Sequence, residues 1–170
     1  MRPRVPVVAM LLALAGTVLT GCATGTGPEP DMTVEEAKAI AQAGELDIVA
    51  QIPAELVVDV AQQPLGALLS CEGDRNYTWA GGTVVSLIPE VTVEAVADII
   101  DGLVTTYADR DGWTAERSSS SIYGNPRATI NGPDGDNYLV SGDHERLEID
   151  IASYSPCFHL RDDQSPHGGY

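Results

Sequence analysis

Apolar positions recur at helical spacing in two segments of the chain and at strand spacing in several others. From Thr92 onward, Val93, Val96, Ile100, Leu103 and Tyr107 fall on one face of a helix, while Glu94, Asp98, Asp101 and Thr105 fall elsewhere. A stripe of that width suits packing on a sheet, and Thr92 supplies an N-cap hydroxyl. Gly112 ends the segment. An earlier helix is predicted from Thr33-Val34-Glu35-Glu36, a capping box in which the Thr33 hydroxyl and the Glu36 carboxylate each satisfy an orphan amide. Val34, Ala37, Ala41, Gly44 and Ile48 carry it at spacings of three and four to about residue 51, and Pro53 stops it. Its Ala-rich face is thin, which leaves open whether it docks or stays a detachable lead-in.

The strand signals fall in two runs. Residues 67–71, 77–80 and 83–88 predict a three-stranded meander, interrupted by Glu72-Gly73-Asp74-Arg75 and Gly81-Gly82 and closed by Pro89. Residues 113–117 read as a short strand, 118–121 as a polar loop, and 127–131, 137–141 and 146–154 as three more strands. Pro133-Asp134-Gly135-Asp136 and Gly142-Asp143-His144-Glu145 supply the turns between those three. In the last strand Leu147, Ile149 and Ile151 alternate with Glu148 and Asp150, so one face is buried and the other wet. Residues 56–60 give no clear signal. Two runs of strands with one strong helix between them predict an α+β fold: an antiparallel sheet covered by one amphipathic helix, with an N-terminal helix besides. Residues 33–160 suit one domain, and 161–170 read as a frayed tail.

The chain begins differently. Arg2 and Arg4 precede fifteen uncharged, mostly apolar residues, 5–19, and then Gly21, Cys22 and Ala23. This is the layout of an export signal, and it is too short for a spanning helix, which needs roughly 20 residues. Leu19-Thr20-Gly21-Cys22 resembles the lipobox of bacterial lipoproteins at every position. The resemblance implies cleavage after residue 21, a diacylglycerol thioether on Cys22, and a protein anchored by lipid at the outer face of the cytoplasmic membrane. The expected organisation is a signal peptide at 1–21, a lipidated Cys22 with a flexible tether to residue 32, the domain, and the tail. The tether's Gly, Thr, Pro and acid spans roughly 17 Å as a coil, which keeps the domain near the bilayer.

Composition narrows the partners. Nine Lys+Arg face 25 Asp+Glu, a formal charge of −16, and loss of Arg2 and Arg4 with the leader takes it to −18. Nucleic acid needs a basic footprint and is excluded as a partner. An anionic leaflet repels such a domain, so the anchoring falls to the lipid.

With Cys22 lipidated, Cys71 and Cys157 are left as an even pair with one possible connectivity in a compartment that permits disulfides. The alternative is two small buried core residues. Cys157-Phe158-His159 lacks the context of a nucleophilic thiol.

Candidate chemistry is sparse. Asp134, Asp136, Asn137 and Glu145 echo a calcium loop, but Leu139 stands where the sharp turn needs Gly, and a hairpin turn is the better reading. His144, His159 and His167 have no shared spacing, so no metal or cofactor is expected. No Gly-x-Ser-x-Gly elbow accompanies the serines at 118–121. Trp79 and Trp113 read as packing residues.

Across the chain, Leu68-Leu69-Ser70-Cys71, Tyr77-x-Trp79 and Ser155-Pro156-Cys157-Phe158 resemble small lipoproteins of high-GC Gram-positive bacteria that carry no assigned activity. The resemblance implies a tethered extracytoplasmic domain and transfers no catalytic residue. The expected role is an envelope interaction or accessory protein that meets another envelope protein or a cell-wall polymer. A small-ligand or cation-binding module is the alternative, and a hydrolase comes third.

Overall fold

The computed structural model describes residues 31–118 and 124–170. The expected export signal, Cys22 and the expected tether up to residue 30 lie outside the described residues, as do all but the first residue of the expected polar loop. The first helix, α1 (Val34–Val49), opens on the expected capping box. The Thr33 amide donates to Glu36 Oε2 at 2.8 Å and the Glu36 amide to Thr33 Oγ1 at 3.2 Å. Those bonds hold the Glu36 carboxyl below its ordinary range. After a 3₁₀ turn at Ala54–Leu56 come β1 (Val57–Gln62), β2 (Ala67–Ser70), β3 (Asn76–Leu87) and α2 (Val93–Ala108). Then follow β4 (Thr114–Ser118), β5 (Arg127–Asn131), β6 (Asn137–Asp143), β7 (Glu148–Tyr154) and β8 (Phe158–His159).

The fold is α+β. Its strands make one antiparallel sheet of eight, in the order β1-β3-β7-β6-β5-β4. β2 continues the line of β1 along one side of β3, pairing Leu68 with Trp79, and β8 continues the line of β7 along the other, pairing Tyr77 with Phe158. β3 is thus flanked along its whole length.

Both helices pack on the same face of the sheet. The α2 residues Val96, Ile99, Ile100, Leu103 and Tyr107 and the α1 residue Ile48 join Val85, Ile130, Tyr138, Val140, Ile149 and Ile151 in one core. Ile100, Leu103, Ile149 and Ile151, each shut off from water, contribute roughly 1.5–3 kcal/mol apiece. A second cluster gathers Val34, Ala37 and Ala41 with Leu68, Trp79, Phe158 and Leu160. The first helix is therefore docked along its length, and its small residues let it sit close to β3.

Several expectations need correction. Val93 is 50% exposed, because burial on α2 begins a turn later, where Val96 meets Gly142. Gly81-Gly82 is not a turn, and the two strands expected on either side of it are one strand. A Cβ on Gly81 would stand 2.1 Å from the Trp79 ring, and one on Gly82 would stand 2.7 Å from the Ile151 carbonyl oxygen. The glycines mark close approach inside a strand. The silent stretch at 56–60 carries the start of β1.

Nor is the tail frayed. Arg75 donates to the carbonyls of Leu160, Arg161 and Gln164. Gly66 and Tyr170 exchange backbone hydrogen bonds, and the Trp79 indole donates to the Tyr170 carbonyl at 3.2 Å.

Candidate functional site

Cys71 and Cys157 are bonded, with Cα atoms 6.3 Å apart. The disulfide ties the end of β2 to the segment between β7 and β8. His159 lies nearby, but its Nδ1 is 3.2 Å from Asn76 Oδ1 and Cys157 has no free thiol, so no nucleophile is assembled there.

The remaining sequence candidates do not converge. Asp136 sits in the β5–β6 turn, while Glu145 sits beyond the far end of β6 in the next turn. His144 belongs to that second turn, His159 to β8 and His167 to the tail. Among the described residues no three His, Cys, Asp or Glu side chains group to hold a metal ion. Trp79 is fully buried in the second cluster. Trp113 lies between Tyr107, at 4.9 Å between ring centroids, and Tyr138, at 6.2 Å, with the Arg110 guanidinium 4.6 Å from its ring.

Beneath α1 runs a polar seam that residue spacing alone did not disclose. Glu45 is 0% exposed and forms no ion pair among the described residues. Its Oε2 accepts from Thr83 at 2.6 Å and from Gln62 at 2.8 Å, and its Oε1 accepts from Ser153. Three strands thus solvate one carboxylate with neutral donors. Beside it, Tyr138 donates to Asp136 Oδ2 at 2.7 Å, and Tyr107 donates to Asp47 Oδ2 at 2.8 Å. Asp136 Oδ1 is buried with no hydrogen-bond partner among the described residues.

Burial, and then the adjoining carboxylate, push both phenols well above their ordinary ionisation range. They remain donors at any physiological pH. The two phenols therefore keep their protons and hold the carboxylates of Asp136 and Asp47 in place. The signal for Glu45 was its position, since it shares a face with Ala37, Ala41 and Ile48.

The opposite face of the sheet carries no described helix. Side chains alternate along a strand, so the neighbours of the buried residues point outward in transverse rows set by the register. One row runs Asp59, Ser86, Glu148, Asp143 across β1, β3, β7 and β6. The next runs Ala61, Val84, Asp150, Ser141, Arg127. A third, Gly82, Ala152, Leu139, Thr129, precedes a fourth, Ala80, Tyr154, Asn137, Asn131.

Over β3, β7 and β6 the face thus grades from carboxylates through small and apolar groups to amides, while Arg127 and Glu116 stand at its β5 and β4 margin. Leu139 is 43% exposed at its centre. Burial, and to a lesser degree the charges of Glu148 and Asp143, raise the Asp150 carboxyl above its ordinary range, against the opposing pull of Arg146. Among the described residues no helix is long and apolar enough to cross a membrane.

No protein-family model, no curated protein and no solved structure matches this chain.

Proposed function

We propose that the protein is a lipoprotein, exported, cleaved before Cys22, acylated there and held at the outer face of the cytoplasmic membrane. Its open sheet face docks another component of the envelope. The observation that carries the docking reading is the outward face of the eight-stranded sheet. Leu139, Val84, Ala152 and Tyr154 adjoin there in three neighbouring rows with no described element over them. Antiparallel sheets expose one face readily, but contiguous apolar surface on such a face marks interaction sites. The Cys71–Cys157 bond supports an oxidising, extracytoplasmic compartment, and the lipobox supports the anchor.

The two halves are tested together. Intact mass of membrane-extracted protein is expected to show loss of residues 1–21 and added acyl mass on Cys22, and Cys22→Ser is expected to leave the membrane fraction. A photo-crosslinker at Leu139 is expected to capture a reproducible envelope component, while one at Val93, on the helical side, does not. A full-length Cys22→Ser chain that stays membrane-bound would overturn the anchor. Capture from Val93 but not from Leu139 would overturn the docking face.

A further inference from the structure

We infer that what docks on the open sheet face is a protein segment bearing Lys or Arg beside an apolar centre. This rests on the docking reading above and names the partner's chemistry. The register places Asp59, Glu148 and Asp143 in one row, with Asp150 in the next beside Val84. Glu148 and Asp143 are directly opposite each other, an arrangement of like charges that destabilises a sheet unless something offsets it.

The cations of this chain offset it only in part. Arg146 lies 2.5 Å from Glu148 Oε2, and Asp59, Asp143 and Asp150 form no ion pair among the described residues. Asp143 spends its carboxylate on the amides of Glu145 and Arg146 at 3.0 and 3.1 Å, which fixes its position in the row. One row further on, Leu139 and Ala152 offer apolar contact.

A surface that matches this gradient has cations at one end and an aliphatic or aromatic group roughly 7–13 Å further along the strand direction. Complementary charge sets orientation and rejects wrong partners. A nucleic acid or an anionic lipid surface meets the same carboxylates with like charge, so a basic protein is the occupant that fits.

The test maps the segment attached by a photo-crosslinker at Leu139 in native membranes. It compares capture between the triple variant Asp59→Asn/Glu148→Gln/Asp150→Asn and a matched triple on the helical side, Glu90→Gln/Glu94→Gln/Asp98→Asn. The expected result is a segment with a surplus of Lys and Arg, with capture falling at least about tenfold in the first triple and less than about twofold in the second. Both triples carry the same net charge, so equal losses would reduce the effect to overall charge and overturn the inference. A neutral or acidic segment, or attachment to lipid alone, would also overturn it. Those outcomes leave capture at Leu139 intact and so differ from failure of the docking reading, in which Leu139 captures nothing. Should the first triple not fold, Asp59→Lys on the exposed strand β1 serves in its place and is expected to abolish capture, with undiminished capture overturning the inference.

Discussion

Thr83 donates its hydroxyl proton to Glu45 at 2.6 Å, and neither residue touches water. The bond joins the C-terminal half of α1 to the C-terminal half of β3, and Ser153 on β7 repeats it from the next strand. Removing the carboxylate leaves these two buried hydroxyls and the Gln62 amide short of an acceptor, and also opens a void.

Glu45→Ala is therefore expected to cost about 3 kcal/mol or more of stability, and Glu45→Gln, which keeps one acceptor oxygen and the volume, about 1 kcal/mol. Urea denaturation monitored by circular dichroism measures both. Equal stability of the Ala and Gln variants would show that the seam holds nothing together.

Gly44 lies under Tyr138, whose hydroxyl oxygen would stand 1.8 Å from an added Cβ. Gly44→Ala must push α1 off the sheet or the phenol off Asp136, at an expected cost of about 2–3 kcal/mol. Gly102, on the outer side of α2, has nothing within 4 Å of such a Cβ. Gly102→Ala is expected to stabilise by about 0.5–1 kcal/mol. Melting temperatures of the pair should move in opposite directions.

The disulfide joins residues 86 positions apart. Replacing both cysteines by Ser releases that loop in the unfolded chain and is expected to cost about 4–5 kcal/mol. The check is the guanidinium midpoint of oxidised protein, reduced protein and the double variant, the last two of which should coincide.

Asp150 gives a signed dependence on pH. Its folded-state carboxyl titrates above its ordinary 3.8, because burial disfavours the charge. Its contribution to stability is thus full below 3.8 and is lost as pH rises through the folded value. Asp150→Asn removes that loss, and because solvent screens this part-exposed carboxyl the gain in stability expected at pH 7 is small, no more than a few tenths of a kcal/mol. The gain should vanish near pH 3. A gain that instead grows as pH falls would contradict the assignment to burial.

The elements that local rules govern were legible in the residues. The Thr33–Glu36 box, the Thr92 cap and the alternation through Glu148, Ile149, Asp150 and Ile151 each encode their own outcome. What was not legible depends on partners distant in sequence. Gly81-Gly82 reads as a turn until Trp79 is seen lying over it, and the tail reads as loose until Arg75 is seen holding its carbonyls. Glu45 shares the inner face of α1, but its three donors come from residues 62, 83 and 153, which no local pattern joins to it. The outward carboxylates of β7 were visible as a pattern, but the row that aligns them with Asp59 and Asp143 exists only through register.

β3 has one further consequence. Its neighbours on one side come from Val57–Gln62 and Ala67–Ser70, and on the other from Glu148–Tyr154 and Phe158–His159. A chain delivered from its N-terminus can zip the first side early, but the second arrives only after almost everything else has been made. Until then one side of this strand offers bare amides and carbonyls to any passing edge, and pairings this remote are slow to form. The interval between those two events is when the nascent molecule is most open to a chaperone, and to error.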